Sequence, residues 1–261
     1  MNSFNFKKKY GQNFLVDENI INKIVDIPVK EKSLVIEIGC GDGRLTKHLC
    51  SCFDKVIGYE IDLEVRNLLF ANLSNYNNYD IHFCDFLKAD VLKDLEKYNY
   101  DNLYIIANLP YYITTPILEK IIDLNLNIEL IRVMVQKEVG DRFCASVGTK
   151  EYGSLTVYLN YNFHVKKDFV VSRNSFYPRP NVDSLVVSFY KKDKLFIKNA
   201  NTFYKLVRDS FRFKRKTLRN NLKDYDLSLI SEVLSKYGYD LSVRAEQLPI
   251  AIFCEIANNI I

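Results

Sequence analysis

The residues best equipped for chemistry are Asn108-Leu109-Pro110-Tyr111, which close an apolar, β-rich run over 103–108 and are followed by Tyr112. Taken alone, such a tetrapeptide is an ordinary strand end followed by a proline turn. The residue types allow a second use. An aromatic amine is a poor nucleophile, because its lone pair is delocalised into the ring. Two acceptors, the Asn108 side-chain oxygen and a main-chain carbonyl held by Pro110, would bind its two N–H groups. They would favour the tetrahedral, charge-bearing nitrogen of a transition state over the planar ground state. Tyr111 supplies a stacking face for a base taken out of its helix.

A second constellation lies upstream. Glu37-Ile38-Gly39-Cys40-Gly41-Asp42-Gly43 follows a strand-like run and leads into a helical one. Glycines let the backbone turn sharply and approach a ligand without Cβ clashes. A Gly-x-Gly-x-Gly stretch is a weak signal by itself, and here its third glycine comes one residue too early for the dinucleotide fingerprint. Glu37 stands two residues before the first glycine, where an anion suits a cationic ligand better than a pyrophosphate. S-adenosylmethionine carries an ammonium and a sulfonium and no phosphate, and is the cofactor expected here. Glu60 ends the next strand-like run, 17 residues after Gly43, and an acid at that point accepts hydrogen bonds from ribose hydroxyls. Asp85, in Cys84-Asp85-Phe86, stands where an adenine amino group would lie. Each acid alone is an unremarkable surface residue; three in series at strand ends describe a cofactor site. A sulfonium is already a good leaving group, so no general base of shifted pKa is required. Placing the amine in line with the methyl supplies much of the rate.

These residues need a scaffold that brings strand ends together. Short β-rich runs at 34–39, 55–60, 80–84, 103–108 and 130–135 alternate with helical stretches at 44–52, 63–73 and 116–124. That rhythm predicts an α/β, Rossmann-like fold with a mostly parallel seven-stranded sheet and helices on both faces. Two later runs, 154–165 and 184–190, read as strands that pair antiparallel at the sheet edge, separated by a proline-containing loop. After Tyr190 the character changes. Lys191-Lys192-Asp193-Lys194 is a charged break, and 202–213, 227–237 and 250–260 have helical apolar spacing. The expected division is a cofactor-binding catalytic domain over 1–190 and a small all-α domain over 191–261.

Composition narrows the function classes. The chain has 261 residues, 48% of them apolar, enough to bury a full core. The formal net charge is +4, but the segment from Lys191 onward holds 14 Lys and Arg against 8 Asp and Glu. A basic end on a near-neutral body points to a polyanionic partner or to a solvated helix face. The cations concentrate at Lys205, Arg208, Arg212, Lys214, Arg215, Lys216 and Arg219 against the single acid Asp209, with Phe211 and Phe213 interleaved. Such a cluster fits phosphate contacts on folded RNA. Six cysteines form no CxxC pair, and three histidines stand at no ligand spacing, so no metal site is expected. The apolar runs are too short to span a bilayer, and the polar, basic start (Lys7-Lys8-Lys9) lacks a signal-peptide pattern. A soluble, cytoplasmic protein without a membrane partner is expected.

At this point the chain resembles a known family, the KsgA/Dim-type 16S rRNA adenine dimethyltransferases, related to the Erm methylases. Lys9-Tyr10-Gly11-Gln12-Asn13-Phe14-Leu15 is similar to the family's GQNFL motif, 37–46 to its ExGxGxGxLT loop, and 108–111 to its NLPY motif. Val135-Gln136-Lys137-Glu138-Val139, Lys150-Glu151-Tyr152-Gly153 and 176–184 also match. The resemblance implies that Asn13, Leu15, Gly39, Gly41, Glu60, Asp85 and Asn108 contact S-adenosylmethionine. It implies dimethylation at N6 of two adjacent adenosines in the 3′-terminal hairpin loop of small-subunit rRNA, within immature 30S subunits, by a monomer without a metal. Phe176, from its loop position, is expected to cover the target base opposite Tyr111. Leu109, Thr115-Pro116 and 215–222 resemble the KsgA pattern more than the Erm pattern, whose members act on 23S rRNA. One departure is Tyr112, where the family commonly has Asn. A non-catalytic assembly factor of the same fold is the alternative from another class, and the intact acids, glycines and Asn-Leu-Pro-Tyr argue against it. A transcription factor derived from this fold would need a transit peptide, and none is visible.

Overall fold

The computed structural model describes residues 13–260; Lys9-Tyr10-Gly11-Gln12 of the GQNFL-like motif lie outside them. In chain order the first elements are β1 (Phe14–Leu15), α1 (Glu18–Val25), β2 (Ser33–Ile38), α2 (Arg44–Cys52), β3 (Lys55–Glu60) and α3 (Arg66–Asn72). There follow β4 (Tyr79–Phe83), α4 (Val91–Leu95), β5 (Asn102–Asn108), α5 (Thr114–Asp123), β6 (Ile128–Gln136) and α6 (Lys137–Phe143). The chain continues with α7 (Ser154–Asn162), β7 (Phe163–Val171), β8 (Phe176–Tyr177) and β9 (Ser184–Lys191). It ends with α8 (Ala200–Ser210), α9 (Leu218–Asn221), α10 (Leu227–Lys236) and α11 (Ile250–Asn259).

Seven strands form one sheet in the order β4-β3-β2-β5-β6-β9-β7. From β4 to β6 neighbouring strands are parallel, and β9 runs antiparallel to β6, with Gln136 opposite Ser184. The predicted α/β, mostly parallel sheet is therefore present. Strand order reverses between β2 and β5, because β3 and β4 build outward on one side and β6 on the other. A crevice must open there beyond the carboxyl ends of the strands. All six residues of β2 are buried, as expected for a central strand covered on both faces.

The chain divides into two compact units. One comprises Met1–Gly140 with Lys166–Lys191, the other Asp141–Val165 with Lys192–Ile261. The boundary expected after residue 190 falls at Lys191, but the expectation that 141–165 belongs to the sheet domain is corrected, since that stretch packs with the C-terminal helices. The expected strand over 154–165 is corrected with it: Ser154–Asn162 is helical, and only the residues from Phe163 onward are extended. Its β-branched and aromatic residues imitate a strand. However, Thr156, Val157, Tyr158, Leu159, Tyr161 and Asn162 are all buried. A helix with no exposed residue on any side shows no clear 3.6-residue period from which to recognise it. Thr156 fixes its start: the Gly153 N–H donates to Thr156 Oγ1 at 3.1 Å, and that hydroxyl donates to the Arg142 carbonyl at 2.8 Å.

Within the first unit, Arg132 of β6 ties the sheet to α1. Its guanidinium donates to the carbonyls of Ile24 and Asp26, each at 3.2 Å, and to Ser188 Oγ at 3.0 Å. Asp168 lies 3.3 Å from Arg132 and accepts from Ser188. Cation and acceptors thus meet at the C-terminal end of α1, where exposed carbonyls favour a positive charge. The other end of α1 is capped by Asp17, which accepts from the N–H groups of Asn19 and Ile20. Asn13 and β1 immediately precede that cap.

Candidate functional site

A cavity opens in the first unit at the strand-order reversal. Every segment flagged at a strand end contributes to its wall: Ile38, Gly39 and Gly41 at the end of β2, Glu60 and Ile61 at the end of β3, Cys84, Asp85 and Phe86 after β4, and 108–113 at the end of β5. Asn13 and Phe14 close another side. The parallel register of β2, β3, β4 and β5 aligns these ends on one edge of the sheet.

The glycine loop is built for close approach. Gly41 has φ +55°, and a Cβ there would stand 2.8 Å from the Phe14 ring, itself part of the wall. The Gly39 N–H donates to the Tyr59 carbonyl at 2.8 Å, and the Gly41 N–H to Glu60 Oε2 at 2.8 Å. Glu60 Oε1 accepts from the Asp62 N–H at 2.8 Å. Backbone donors thus hold both Glu60 oxygens, and the carboxylate keeps acceptor capacity toward the cavity. Burial raises its pKa above the usual carboxylate range, and the backbone N–H groups of Asp62 and Gly41 counter that rise.

Asp85 caps a short turn after β4, accepting from the Leu87 N–H at 3.0 Å. Lys120 of α5 braces the same turn, donating to the carbonyls of Phe86 and Ala89, both at 2.6 Å. Sequence reasoning missed this lysine; it lies 35 residues from Asp85 with no local signal.

Glu37 departs from expectation. It is buried within β2, is absent from the cavity wall, and its Oε2 has no hydrogen-bond partner. Burial pushes its carboxyl up to about 8, with the Thr46 hydroxyl and Cys40 thiol offsetting only part of the effect. At neutral pH it is mostly protonated. The expectation of an anion at position 37 beside a cationic ligand is therefore corrected: the acids that face the cavity are Glu60 and Asp85.

At the end of β5, Asn108 Nδ2 donates to the Asn13 carbonyl at 3.3 Å. This fixes the amide's orientation and leaves Oδ1 as an acceptor. The Leu109 N–H donates to the Met134 carbonyl at 3.0 Å. The Pro110 carbonyl accepts from the Ile113 N–H at 3.2 Å and from Thr114 Oγ1 at 3.1 Å. No described residue donates to the Leu109 carbonyl, so the main-chain acceptor beside Pro110 is that of Leu109. Tyr111 is half-buried with its hydroxyl 2.7 Å from Ser184 Oγ of β9. The antiparallel seating of β9 on β6 thus anchors the ring. Burial pushes the Tyr111 phenol up. Tyr112, the family departure, is 54% exposed and also lines the cavity.

Two expected contacts lie elsewhere. Leu15 and Phe176 pair across β1 and β8, and both side chains are buried in the same apolar cluster, at 6% and 3% exposure. Neither lines the cavity. Successive strand residues point to opposite sides, so Phe14 takes the cavity position expected of Leu15, and Tyr177 rather than Phe176 is exposed. Phe176 as a cover for the target base is corrected on this ground. Phe14, Tyr59, Phe86 and Ile113 are wall residues missed from the sequence; each adjoins a flagged residue, and that adjacency was the available signal.

In the second unit, all seven flagged cations are exposed, along α8, the turn after it and α9. Lys205 is engaged by Asp209 at 2.8 Å and by the Tyr225 hydroxyl at 2.9 Å, which push its pKa up. Among the described residues no helix is long and apolar enough to cross a membrane.

A family model described as ribosomal RNA adenine dimethylase matches residues 3–261 of the chain. The ribosomal RNA small subunit methyltransferase A of Bacillus mycoides (strain KBAB4) is 40% identical over 269 residues, covering 99% of this chain and 92% of that protein. The protein of the same name from Bacillus cereus (strain B4264) matches to the same extent, 40% over 269 residues. Among solved structures, a dimethyladenosine transferase from Plasmodium falciparum is similar with a TM-score of 0.78 at 27% identity, over 93% of this chain and 95% of that one. The 23S rRNA methyltransferase ErmE shares the fold, with a TM-score of 0.72 at 23% identity, over 95% of this chain and 99% of that one. With the family model spanning nearly its full length over a sheet and cavity of this construction, the chain belongs to the ribosomal RNA adenine dimethylase family.

Proposed function

We propose that the chain transfers methyl groups from S-adenosylmethionine to N6 of two adjacent adenosines in the 3′-terminal hairpin loop of 16S rRNA, giving N6,N6-dimethyladenosines during 30S subunit biogenesis. The observation that carries this reading is the paired acceptor at the end of β5. Asn108 Oδ1, oriented by the bond from Nδ2 to Asn13, and the Leu109 carbonyl both lack a donor among the described residues and share one cavity wall.

The cavity fits the cofactor. Gly39 and Gly41 leave room that a Cβ at 41 would close, and Glu60 keeps acceptor capacity for ribose hydroxyls. Asp85 faces the same space with Tyr59 and Phe86 as flat apolar neighbours. When bound, S-adenosylmethionine supplies an electrophilic methyl on a positively charged sulfur. The chain's own part is to hold the amine. Two acceptors on its N–H groups draw the nitrogen toward tetrahedral geometry and stabilise the positive charge it acquires. Tyr111, held by Ser184, fixes the plane in which a base can stack.

Support for the substrate comes from the small-subunit rRNA methyltransferases that share 40% of their residues with this chain, and from the exposed cations of the second unit. Lys205, Arg208, Arg212, Lys214, Arg215, Lys216 and Arg219 would contact rRNA phosphates. The test is methyl transfer to immature small subunits lacking the modification, followed by mass spectrometry of the rRNA. Dimethyladenosine at the two adjacent positions is expected; its absence overturns the reading. Asn108→Ala should lower turnover by about 100-fold or more, the order seen when one preorganised polar group is removed from a transition-state site. RNA affinity should change little.

A further inference from the structure

The two interleaved phenylalanines of the basic segment part company in the structure. Phe211 is half-buried, its ring centroid 5.9 Å from Phe253 and 6.0 Å from Tyr152. Phe213, two residues on, is 55% exposed. A single exposed apolar side chain is common on a protein surface and needs no explanation. Three features set this one apart.

First, its backbone is fixed. The Phe213 N–H donates to Asn221 Oδ1 at 3.2 Å, and its carbonyl accepts from the Lys216 N–H at 2.9 Å and from Asn221 Nδ2 at 3.3 Å. Asn221 Nδ2 also reaches the Ser210 carbonyl at 2.7 Å, closing the turn from α8 to α9. Second, the Arg212 guanidinium lies over the ring, 5.5 Å from its centroid, so one face is already stacked by a cation. Third, Arg212, Lys214, Arg215 and Lys216 are exposed and enter no ion pair among the described residues. The nearest acid in sequence, Asp209, is taken by Lys205 at 2.8 Å and by the Tyr225 hydroxyl at 2.6 Å.

We propose that Phe213 is a stacking platform for an unpaired nucleotide of the RNA that this unit binds, its base lying on the ring while Lys214, Arg215 and Lys216 hold the adjoining phosphates. The inference rests on the RNA reading above. A rigidly presented aromatic ring within unpaired cations matches a single-stranded nucleotide in both its parts, a flat apolar base and a charged backbone. Stacking adds affinity without adding charge, which separates it from the phosphate contacts around it.

The experiment measures binding of the full chain to immature small subunits and to protein-free 16S rRNA, each across a salt series. Phe213→Ala should weaken both by about 5- to 100-fold, the range for losing one base–aromatic stack. The slope of log affinity against log salt should stay unchanged, since no cation is removed. Phe213→Trp should restore binding and Phe213→Leu should not. The thermal melting of each variant should match the parent, because the ring is exposed. Parental affinity in Phe213→Ala overturns the proposal, as does full restoration by Phe213→Leu. Loss on subunits without loss on free rRNA would assign the ring to a protein partner and overturns it too. If a Lys214/Arg215/Lys216 triple alanine also bound normally, the RNA reading itself would fall; if that variant alone lost binding, only the stacking would.

Discussion

At the scale of single residues, the site depends on which polar atoms the fold leaves unpaired. Asn108 is a hydrogen-bond donor on one side and an acceptor on the other, and the Asn13 carbonyl decides which side is which. Gly41 is equally constrained. Its φ of +55° and the 2.8 Å approach of Phe14 to a hypothetical Cβ make alanine costly there. A non-glycine residue in the left-handed region costs about 1–2 kcal/mol, before the Phe14 ring is displaced from the wall. Gly41→Ala should lower cofactor affinity by about tenfold or more, read by calorimetric titration with S-adenosylhomocysteine. Glu37 has a different consequence. Its folded-state pKa, raised to about 8 by burial, lies above that of the unfolded chain. Between roughly 4.5 and 8 the folded state therefore binds more protons than the unfolded one, and stability declines as pH rises through that window. Melting temperatures of the parent and of Glu37→Gln, compared from pH 5.5 to 9, should diverge in favour of the variant at the alkaline end. Parallel profiles would contradict the burial argument.

At the scale of elements, the sheet positions the cavity residues, and α1 together with β1 brings Asn13 and Phe14 to them. Arg132 is the link. Its side chain is about one-tenth exposed, as is that of Asp168 beside it, so neither charge is compensated by water. Removing one partner of a buried pair leaves the other unpaired, at a cost of about 3–5 kcal/mol. Arg132→Met should destabilise the chain by that order in urea unfolding, and it should also loosen α1, whose terminal carbonyls lose their donor. Replacing Arg132 and Asp168 together by apolar residues of similar size should recover most of the stability. A loss below about 1 kcal/mol in the single variant would show that the pair is better solvated than its burial indicates. The strand over 154–165 failed as an expectation for an element-scale reason: α7 is covered on all sides, and a hydrophobic period exists only where one face meets water.

At the scale of the whole molecule, one compact unit carries a cavity lined by strand ends and the other exposes a basic surface built from helices. Counterion release links the number of phosphate contacts to salt dependence. A Lys214/Arg215/Lys216 triple alanine should reduce the slope of log affinity against log salt by roughly 2–3 while leaving cofactor affinity unchanged. An unaltered slope would place the RNA on another face.

The sequence alone determined the local and periodic features. Alternating β-rich and helical runs, glycines at 39, 41 and 43, acids at 60 and 85, and the tetrapeptide at 108–111 specified a parallel sheet and the order of its cavity-lining ends. Each of these signals is carried within a few residues of chain. Tertiary structure decided what depends on packing between distant segments. It buried Glu37 and Phe176, set Phe14 rather than Leu15 in the cavity wall, and assigned 141–165 to the C-terminal unit. It also supplied Lys120, Ser184 and Arg132 as braces, bonded to residues from 31 to 108 positions away in sequence. Burial and side-chain direction are properties of neighbours in space, and no pattern along the chain encodes them until the sheet has formed.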